Sequence, residues 1–422
     1  MTYRVSVLAT GSEILDGRVV DTNSNLVARE LASLGLSLSR IMTVTDDTNE
    51  LLEALAQLSA VSDCIITSGG LGPTTDDLTR EVVATFCKVS LKEHPDARRN
   101  LEAFFERRKR AIDKQNYIQA LIPEGAGVIE NEHGTAPGFI SNSQSGTSIC
   151  SLSGVPREFE QMFRSSVLPH ITQHAGSTTR IQTKVLKTFG LPESIVGSRV
   201  RTIAQNKDVL VSYRAAFREV HVTLKAPASL DLTQSLRDVA AVIESEYIYA
   251  TKESDTLPLI VQRLLESKNE TVATAESCTG GLLSGYLTEI PGASHTFRGG
   301  VVSYSNSAKE DLLQVPNKIL LEHGAVSAET VQAMSESVRE LLGATYGIAI
   351  SGVAGPDGGT DSKPVGTVFM ALAGPNETVV RQCYYPNTRE IIRKYASFVA
   401  LDMLRRTLLT LPIPDTYPVS FE

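Results

Sequence analysis

The sequence predicts an α/β protein in which two doubly wound α/β domains are joined by a small α+β connector. At both ends of the chain, short apolar strand candidates alternate with amphipathic helix candidates, the pattern of a parallel sheet with helices on both faces. Between these ends, apolar and polar residues alternate as they do in half-buried strands. These observations divide the chain into domains at 1–170, 171–255 and 256–422.

Length and composition exclude several classes of protein. The chain has 422 residues, which suits two or three domains at roughly 150 residues each. Its net charge of −8 argues against a surface that wraps nucleic acid, because phosphate contacts need clustered Lys and Arg. The five cysteines form no C-x-x-C pair, so neither a disulfide framework nor a zinc site is indicated.

We expect a cytoplasmic protein with no membrane partner and no direct contact with nucleic acid. The first residues, MTYRVSVLATGSE, lack the long apolar core of a signal peptide. No run approaches the roughly 20 consecutive apolar residues that a membrane-spanning helix needs.

The first domain begins with an apolar strand candidate at 3–9. The segment DTNSNLVARELASLG (21–35) combines polar capping residues, apolar residues at helical spacing and a final glycine, so it predicts an amphipathic helix. TDDTNELLEALAQLSA (45–60) repeats the pattern, and we interpret its Asp46-Asp47 as a turn and helix cap. A strand at 64–66 follows.

The stretch TSGGLGPTTDDLTRE (67–81) combines a glycine-rich loop with two adjacent carboxylates, Asp76 and Asp77. Glycines allow backbone N–H groups to approach phosphates, and carboxylates can hold a divalent cation that neutralises them. Adjacent helical residues point roughly 100° apart, so we expect one Asp to bind metal and the other to lie in the first helical turn. Thr74 or Thr75 would be the N-cap. Alternatively, both Asp residues only cap the helix.

The connector and the third domain follow the same reasoning. STTRIQTKVLKTFG (177–190) and VLVSYRAAFREVHVTLKA (209–226) alternate like strands, with helix candidates near 192–205 and 230–245. The third domain then reads as alternating strands and helices, at 272–273, 278–290, 300–303, 328–342, 347–351 and 388–409.

Two loops of the third domain follow strands and are rich in glycine and hydroxyl groups. ATAESCTGG (273–281) opens a helix, whose free N–H groups attract anions. SGVAGPDGGTDSKPVGT (351–367) is the second loop. Loops at the carboxyl ends of strands place a ligand in a crevice of the sheet.

Tyr304 and Lys309 lie between these two loops, at a strand end and a helix start. A Lys in a dry pocket loses its charge and can act as a base, so a nearby Ser could attack a carbonyl. Tyr304 could relay a proton or bind the oxyanion. Both residues could instead have only structural roles.

Taken in order, the motifs at 273–281, 292–309, 323–327 and 351–367 resemble the C-terminal nicotinamide mononucleotide deamidase domain of the CinA family. The resemblance implies Ser294 as nucleophile, Lys309 as its base and Tyr304 as their partner, with no cofactor. It implies a substrate site formed by Ser277, Thr279, Gly280, Gly281, Gly352, Gly355, Gly358, Gly359 and Arg389. Cys278 remains an alternative nucleophile, since a helix N-terminus favours a thiolate.

The segments GSEILDGRVVDTNSNLVARELASLG and SGGLGPTTDDLTRE also resemble this family, in its molybdopterin-binding-like domain. The resemblance implies an ADP-ribose pyrophosphatase that needs a divalent metal such as Mg²⁺, held by Asp76 and Asp77. The candidate ligand-binding residues are Thr10, Gly11, Glu13, Asn23, Gly69, Gly70, Gly72 and Thr74.

The whole resemblance implies a bifunctional hydrolase of pyridine-nucleotide recycling, acting on small nucleotides and forming a homodimer. The alternative is a module that binds a nucleotide or molybdopterin and acts as a partner in competence or DNA repair.

Overall fold

The structure, a computed structural model, describes residues 3–176, 181–201, 203, 208–217 and 219–417. The strand start expected at 177–180 and the end of the helix expected near 192–205 therefore lie outside the described residues. The chain divides into two compact units, one of residues 1–182 with 227–229 and one of residues 183–226 with 230–422. Both are mixed α/β, as the sequence predicts.

The first unit contains eight strands and seven α-helices among its described residues. Its strands are β1 Val5–Thr10, β2 Leu38–Val44, β3 Cys64–Ser68, β4 Leu91–Glu93, β5 Leu121–Pro123, β6 Gly127–Ile129, β7 Gly138–Asn142 and β8 Ser148–Leu152. Its helices are α1 Ser12–Leu15, α2 Thr22–Ser33, α3 Thr48–Ser59, α4 Thr79–Cys87, α5 Pro95–Arg107, α6 Pro156–Met162 and α7 Leu168–His174. A 3₁₀ helix and a π-helical turn complete it, at Lys114–Ala120 and Phe163–Val167.

The six-stranded sheet of this unit has the order β2-β1-β3-β8-β7-β6. β2, β1, β3 and β8 run parallel, whereas β7 and β6 are antiparallel additions. Successive side chains of a strand point to opposite faces. Val7 of β1 accordingly packs in one core with α2 and α6, and Leu8 packs in another core with α3 and α4. Helices therefore cover both faces, as in a doubly wound domain.

The second unit begins at the connector and continues to the end of the described chain. Its strands are β9 Ile181–Phe189, which starts in the first unit, β10 Leu210–Ala216, β11 Glu219–Pro227, β12 Ile248–Ala250, β13 Val272–Glu276, β14 Phe297–Val302, β15 Tyr346–Gly352, β16 Thr367–Ala373 and β17 Thr378–Tyr384. Its helices are α8 Glu193–Val200, α9 Thr233–Ile243, α10 Leu257–Lys268, α11 Leu282–Thr288, α12 Asn306–Leu313, α13 Asn317–His323, α14 Ala328–Leu341 and α15 Arg389–Leu408. Short 3₁₀ turns lie at Ser245–Tyr247 and Ala293–His295.

The connector forms a four-stranded sheet of order β10-β11-β9-β12. With α8 after β9 and α9 after β11, its chain order is βαββαβ, the split βαβ arrangement of ferredoxin-like folds. Val196 of α8 and Val239 of α9 pack against Val222 of β11 in a core of its own. The alternation of apolar residues along β11 reflects this single covered face.

The C-terminal sheet has the order β14-β13-β15-β16-β17, with the first three strands parallel and the last two antiparallel. Val272 and Ala273 of β13 point into two different cores, one with α10 and α15 and the other with α14. In both large sheets, the strand that comes first in the chain, β1 or β13, is second in the sheet order. The next strand along the chain lies on one side of it, and the following strand lies on its other side. This reversal creates a crevice at the carboxyl ends of β1 and β3, and of β13 and β15, where such sheets bind ligands.

A buried ionic cluster ties the second unit together. Asp402 of α15 accepts hydrogen bonds from Arg405 and Arg406, and all three side chains are fully buried. Arg405 also donates to the carbonyl of Glu246 at 2.7 Å, and Arg406 to that of Pro412 at 2.8 Å. The cluster thus joins α15 to the connector and to the tail, the segment that follows α15.

In the described ranges, no helix is both long and apolar enough to cross a bilayer.

We expect Asp402→Asn to destabilise the second unit by about 3–5 kcal/mol, because it leaves two buried guanidinium groups without their counter-ion. Urea unfolding followed by circular dichroism measures this change. Asp415→Asn is the matched control, since Asp415 pairs with Arg381 while its side chain is 98% exposed, and it should have little effect. Equal unfolding midpoints for the two variants would contradict the prediction.

Candidate functional site

The first candidate site is a cavity of about 500 Å³ in the first unit. It lies at the carboxyl ends of β1, β3 and β8, because its wall is formed by the loops that follow these strands. The lining includes the predicted residues Thr10, Gly11, Glu13, Asn23, Gly69, Gly70, Gly72, Asp76 and Asp77. The structure therefore brings these residues to one place. Thr74 is not part of the lining, but it binds Asp77.

The two Asp residues precede the helix rather than opening it, so the expected helix start is wrong. α4 begins at Thr79 and its N-cap is Leu78, which makes no side-chain cap. Asp77 instead closes a turn, with Oδ2 accepting hydrogen bonds from the N–H of Thr74 at 2.9 Å and its hydroxyl at 2.5 Å. Asp76 is exposed at the lining. Gly69 and Gly70 change the direction of the chain between β3 and the turn that Asp77 closes. α4 therefore begins later in the sequence than expected.

The loop glycines are required by packing within the protein. Gly69 has a φ of 107°, and a Cβ there would lie 2.8 Å from the carbonyl oxygen of Thr10. Gly70 has a φ of 67°, and its Cβ would collide with the hydroxyl of Thr79. That hydroxyl donates to the carbonyl of Gly69 at 2.8 Å. The loop thus lies closely between β1 and α4.

Asn23 and Asp46 hold the walls of the cavity. The amide of Asn23 donates to Ser68 Oγ and to the carbonyl of Gly154, both at 2.9 Å, so it joins the end of β3 to the loop after β8. Asp46 accepts a hydrogen bond from Thr10 Oγ1 at 2.7 Å and lines the cavity. The sequence interpretation limited Asp46 to a turn, whereas Asp47 is the expected cap of α3. The position of Asp46 just after the parallel strand β2 was the signal that could have identified it.

The lining is strongly acidic. Its charged side chains are all carboxylates, and none of the described residues that line it is Lys or Arg. The carboxylates are Glu13, Asp21, Asp46, Asp76, Asp77 and Glu158. In the described part of the chain, no three His, Cys, Asp or Glu side chains are close enough to hold a metal ion by themselves. Hard oxygen donors still fit Mg²⁺, which commonly takes one or two carboxylates together with water and substrate phosphates.

The second candidate site lies at the crevice between β13 and β15 and is built around Lys309. Its Nζ donates hydrogen bonds to Ser277 Oγ at 3.1 Å and to the carbonyl of Ser303 at 2.8 Å. Ser305 caps α12 by accepting a hydrogen bond from the N–H of Ala308 at 3.1 Å, and this fixes the helix from which Lys309 projects. The amine is therefore held against a serine hydroxyl by two separate strand ends.

The environment of Lys309 shifts its amine toward the neutral form, relative to a lysine in solvent. The side chain is 0% exposed, and burial lowers the pKa of Lys309. Burial also raises the pKa of the neighbouring Cys278 thiol to about 12, which disfavours the thiolate that the alternative nucleophile would need.

Ser294 is not the serine near Lys309, so its expected pairing with that base is wrong. Ser294 lies in the 3₁₀ turn before β14, whereas Tyr304 and Lys309 follow this strand. β14 has six residues, and a strand rises about 3.3 Å per residue, so its ends are roughly 20 Å apart. Ser277 takes the position expected for Ser294, and its place directly after β13 was the signal that could have identified it.

The helix start after Ser277 is closed by the protein itself rather than left open for an anion. Glu276 is fully buried at the end of β13 and accepts hydrogen bonds from the N–H groups of Gly281, Leu283 and Ser284 at 2.8–3.0 Å. It also accepts a hydrogen bond from the hydroxyl of Ser284 at 2.6 Å. The expected reason for anion binding at Thr279, Gly280 and Gly281 therefore does not hold, since a carboxylate already occupies this helix end.

Arg389 joins the remaining parts of the site. Its guanidinium donates to Tyr304 Oη at 3.0 Å and to the carbonyl of Gly355 at 2.8 Å. Tyr304 is 61% exposed, and its hydroxyl is held by Arg389. One turn along α15, Arg393 donates to the carbonyl of Thr279 at 2.6 Å. Two guanidinium groups thus border the crevice, and sequence reasoning missed the second.

The other predicted glycines have different roles. Gly352 lies in β15, where a Cβ would be 2.8 Å from the carbonyl oxygen of Thr367, so strand packing requires it. Gly355 has a φ of 76° and presents its carbonyl to Arg389. Gly358 and Gly359 are exposed in the same loop.

Comparison with known proteins places both sites within recognised regions. Residues 254–408 match the family profile described as the CinA C-terminal domain, and residues 6–173 match a probable molybdopterin binding domain. A CinA-like protein of Anaeromyxobacter sp. (strain Fw109-5) is 41% identical over 413 residues, which cover 97% of this chain and 100% of that relative.

The chain belongs to the CinA family. A putative competence-damage inducible protein of Caldanaerobacter subterraneus subsp. tengcongensis is 38% identical, over 96% of this chain and 98% of its own length. A solved structure of the protein CinA from Thermoplasma acidophilum is 35% identical, covers 40% of this chain and 98% of its own, and has a TM-score of 0.37. The Ser277–Lys309 pair of this CinA-family member lies in the first matched region, and the acidic cavity lies in the second.

Proposed function

We propose that the second unit hydrolyses the carboxamide of nicotinamide mononucleotide, giving nicotinate mononucleotide and ammonia. The observation that carries this proposal is the contact of 3.1 Å between Lys309 Nζ and Ser277 Oγ, with the amine fully buried. A neutral amine beside a hydroxyl is the pairing by which Ser–Lys hydrolases activate their nucleophile.

In this mechanism, Ser277 Oγ attacks the carboxamide carbon while Lys309 accepts the hydroxyl proton. Lys309 then returns the proton to the leaving nitrogen, so that ammonia departs and an ester remains on Ser277. Water attacks the ester with Lys309 as base again, which releases the carboxylate and restores the serine. The carbonyl of Ser303, 2.8 Å from Nζ, keeps the amine in place through both steps.

The nucleotide part of the substrate is supported by charge and by family membership. Arg389 and Arg393 border the same crevice and suit a substrate that carries a phosphate. Tyr304 offers an exposed aromatic face beside Arg389, which suits a flat pyridine ring. The family resemblance implies this same substrate.

We further propose that the first unit cleaves the diphosphate of ADP-ribose with the help of a divalent cation. The carboxylate lining carries this proposal, because two like charges about 4 Å apart near a surface repel by roughly 4 kcal/mol. A diphosphate in this cavity therefore needs positive charge brought with it. When bound, the cation would neutralise the phosphates and lower the pKa of a coordinated water.

We propose Asp76 as the residue that coordinates the cation. Asp76 is exposed at the lining, and hydrogen bonding by Thr74 lowers its pKa, so its carboxylate stays charged. Asp77 is half-buried and accepts both the N–H and the hydroxyl of Thr74. Asp76 is therefore the better candidate for direct coordination, and Asp77 holds the turn that presents it. Asn23 and Asp46 keep the opposing loops in position.

The nucleophile can be tested by two serine variants measured for ammonia release from nicotinamide mononucleotide. Ser277→Ala should lower kcat/KM by at least about 1,000-fold, because no hydroxyl remains for the attack. Ser294→Ala is the matched control and should keep the activity. Loss of activity in Ser294→Ala with retention in Ser277→Ala would exclude the proposed pair.

The pH dependence of deamidation tests Lys309. Below its pKa the amine is protonated and cannot accept the proton of Ser277, so kcat/KM should rise with pH. Because burial lowers the pKa of Lys309, the midpoint should lie below the ordinary Lys value of about 10.4. Lys309→Arg should abolish turnover, and Lys318→Arg, whose lysine is 80% exposed, should not. A midpoint at the ordinary value would count against the neutral amine.

Removal of metal should separate the two activities. Chelation with EDTA is expected to abolish ADP-ribose cleavage, with recovery on addition of Mg²⁺, and to leave deamidation unchanged. Asp76→Asn should raise the Mg²⁺ concentration needed for half-maximal cleavage, whereas Asp96→Asn, on α5 of the same unit, should not. Metal-independent cleavage would refute this proposal, and binding of both nucleotides without turnover would favour a binding module.

A further inference from the structure

Arg80 is a buried cation that supports the acidic cavity without lining it. The residue is 2% exposed and lies in the first turn of α4. Its guanidinium donates to the carbonyl of Leu71 and, at 2.8 Å, to the carbonyl of Gly72. Both acceptors belong to the loop that lines the cavity.

Arg80 forms no salt bridge with any described residue, although buried arginines are usually paired with a carboxylate. The carboxylates of Glu81 and Asp77 act on its charge without contacting it. Its Nε also lacks a hydrogen-bond partner within the described ranges. The guanidinium itself is bound only by carbonyls, so no carboxylate in contact with it neutralises its charge. That charge lies next to the loop of Leu71 and Gly72, in a cavity whose charged lining residues are all carboxylates.

The two hydrogen bonds also orient the loop. In a trans peptide the C=O and the following N–H point in opposite directions. When Arg80 draws the carbonyl of Leu71 away from the cavity, the N–H of Gly72 turns toward it. Pro73 follows Gly72 and has no N–H, so the second carbonyl can face Arg80 without displacing another donor.

We propose that Arg80 is a positioning residue for the diphosphate group of the first unit's ligand. It shapes the loop through Leu71 and Gly72, and it supplies from behind the loop the positive charge that the lining lacks. This inference rests on the proposed function for its ligand, a nucleoside diphosphate. It adds Arg80 as a group that acts on this ligand through the loop of Leu71 and Gly72.

The test measures the affinity of the full chain for ADP-ribose, and for inorganic diphosphate, by calorimetry with Mg²⁺ present. The variants are Arg80→Met, which removes the charge, and Arg80→Lys, which keeps the charge but cannot bind both carbonyls in a fork. Arg99→Met is the matched control, since Arg99 is exposed on α5 of the same unit. Deamidation by the second unit confirms that each preparation is intact.

We expect Arg80→Met to weaken the binding of both probes about tenfold or more, as for the loss of a charge-assisted contact. Arg80→Lys should recover part of this loss, and Arg99→Met should bind like the unchanged protein. A side chain that only stabilised the fold would lower the unfolding temperature and leave the affinity of the folded protein unaltered. Affinities of Arg80→Met within about twofold of the unchanged protein would thus overturn the inference.

If Arg80→Met does not fold, Arg80→Lys decides the question. Binding weakened by about threefold or more supports the inference, and smaller changes overturn it. Absence of binding of either probe to the unchanged protein also overturns it. Binding of ADP-ribose without cleavage contradicts the proposed pyrophosphatase activity alone, because the affinities can still be compared.

Discussion

Buried backbone groups must find hydrogen-bond partners, and this constraint shapes both sites of the protein. In each unit, the loop that follows an inner parallel strand is held by one buried charged side chain. Glu276 accepts the N–H groups at the start of α11, and Arg80 binds the carbonyls of Leu71 and Gly72. The two side chains carry opposite charges, because the chain at the start of α11 presents N–H donors and the loop before α4 presents carbonyl acceptors. Without these side chains, neither loop could keep its shape at the crevice of its sheet.

The local charges of the two crevices follow from these supports and suit different chemistry. The first crevice has a wall of carboxylates, which repels a phosphate unless positive charge is brought with it. In the second crevice, the carboxylate of Glu276 is occupied by the N–H groups at the start of α11. The cations of this site are the buried Lys309 and, nearer the surface, Arg389 and Arg393. A buried amine and two guanidinium groups suit an anionic substrate.

The same principle extends to the framework of the second unit. Lys187 of the connector is buried and donates to the carbonyls of Glu253 and Asp255 at 2.6 and 2.8 Å. Arg405 and Arg406 combine their shared carboxylate, Asp402, with carbonyls of the connector and the tail. Buried cations therefore join segments distant in sequence through backbone oxygens. This joins the connector to α15, the helix that presents Arg389 and Arg393.

The sequence by itself determined the α/β class and helix caps such as Asp47, because periodicity and turn chemistry are local properties. Turn chemistry also pointed to the loop of Gly69 to Asp77, and the family resemblance pointed to the lining residues Thr10, Gly11, Glu13 and Asn23. It also identified Lys309 and Arg389 as members of a site. Only the tertiary structure decided that Ser277, and not Ser294, meets Lys309, because β14 separates the two ends of one sheet by its own length. The roles of Glu276 and Arg80 were likewise decided there, since a charged residue reads as exposed until the fold encloses it and supplies its backbone partners.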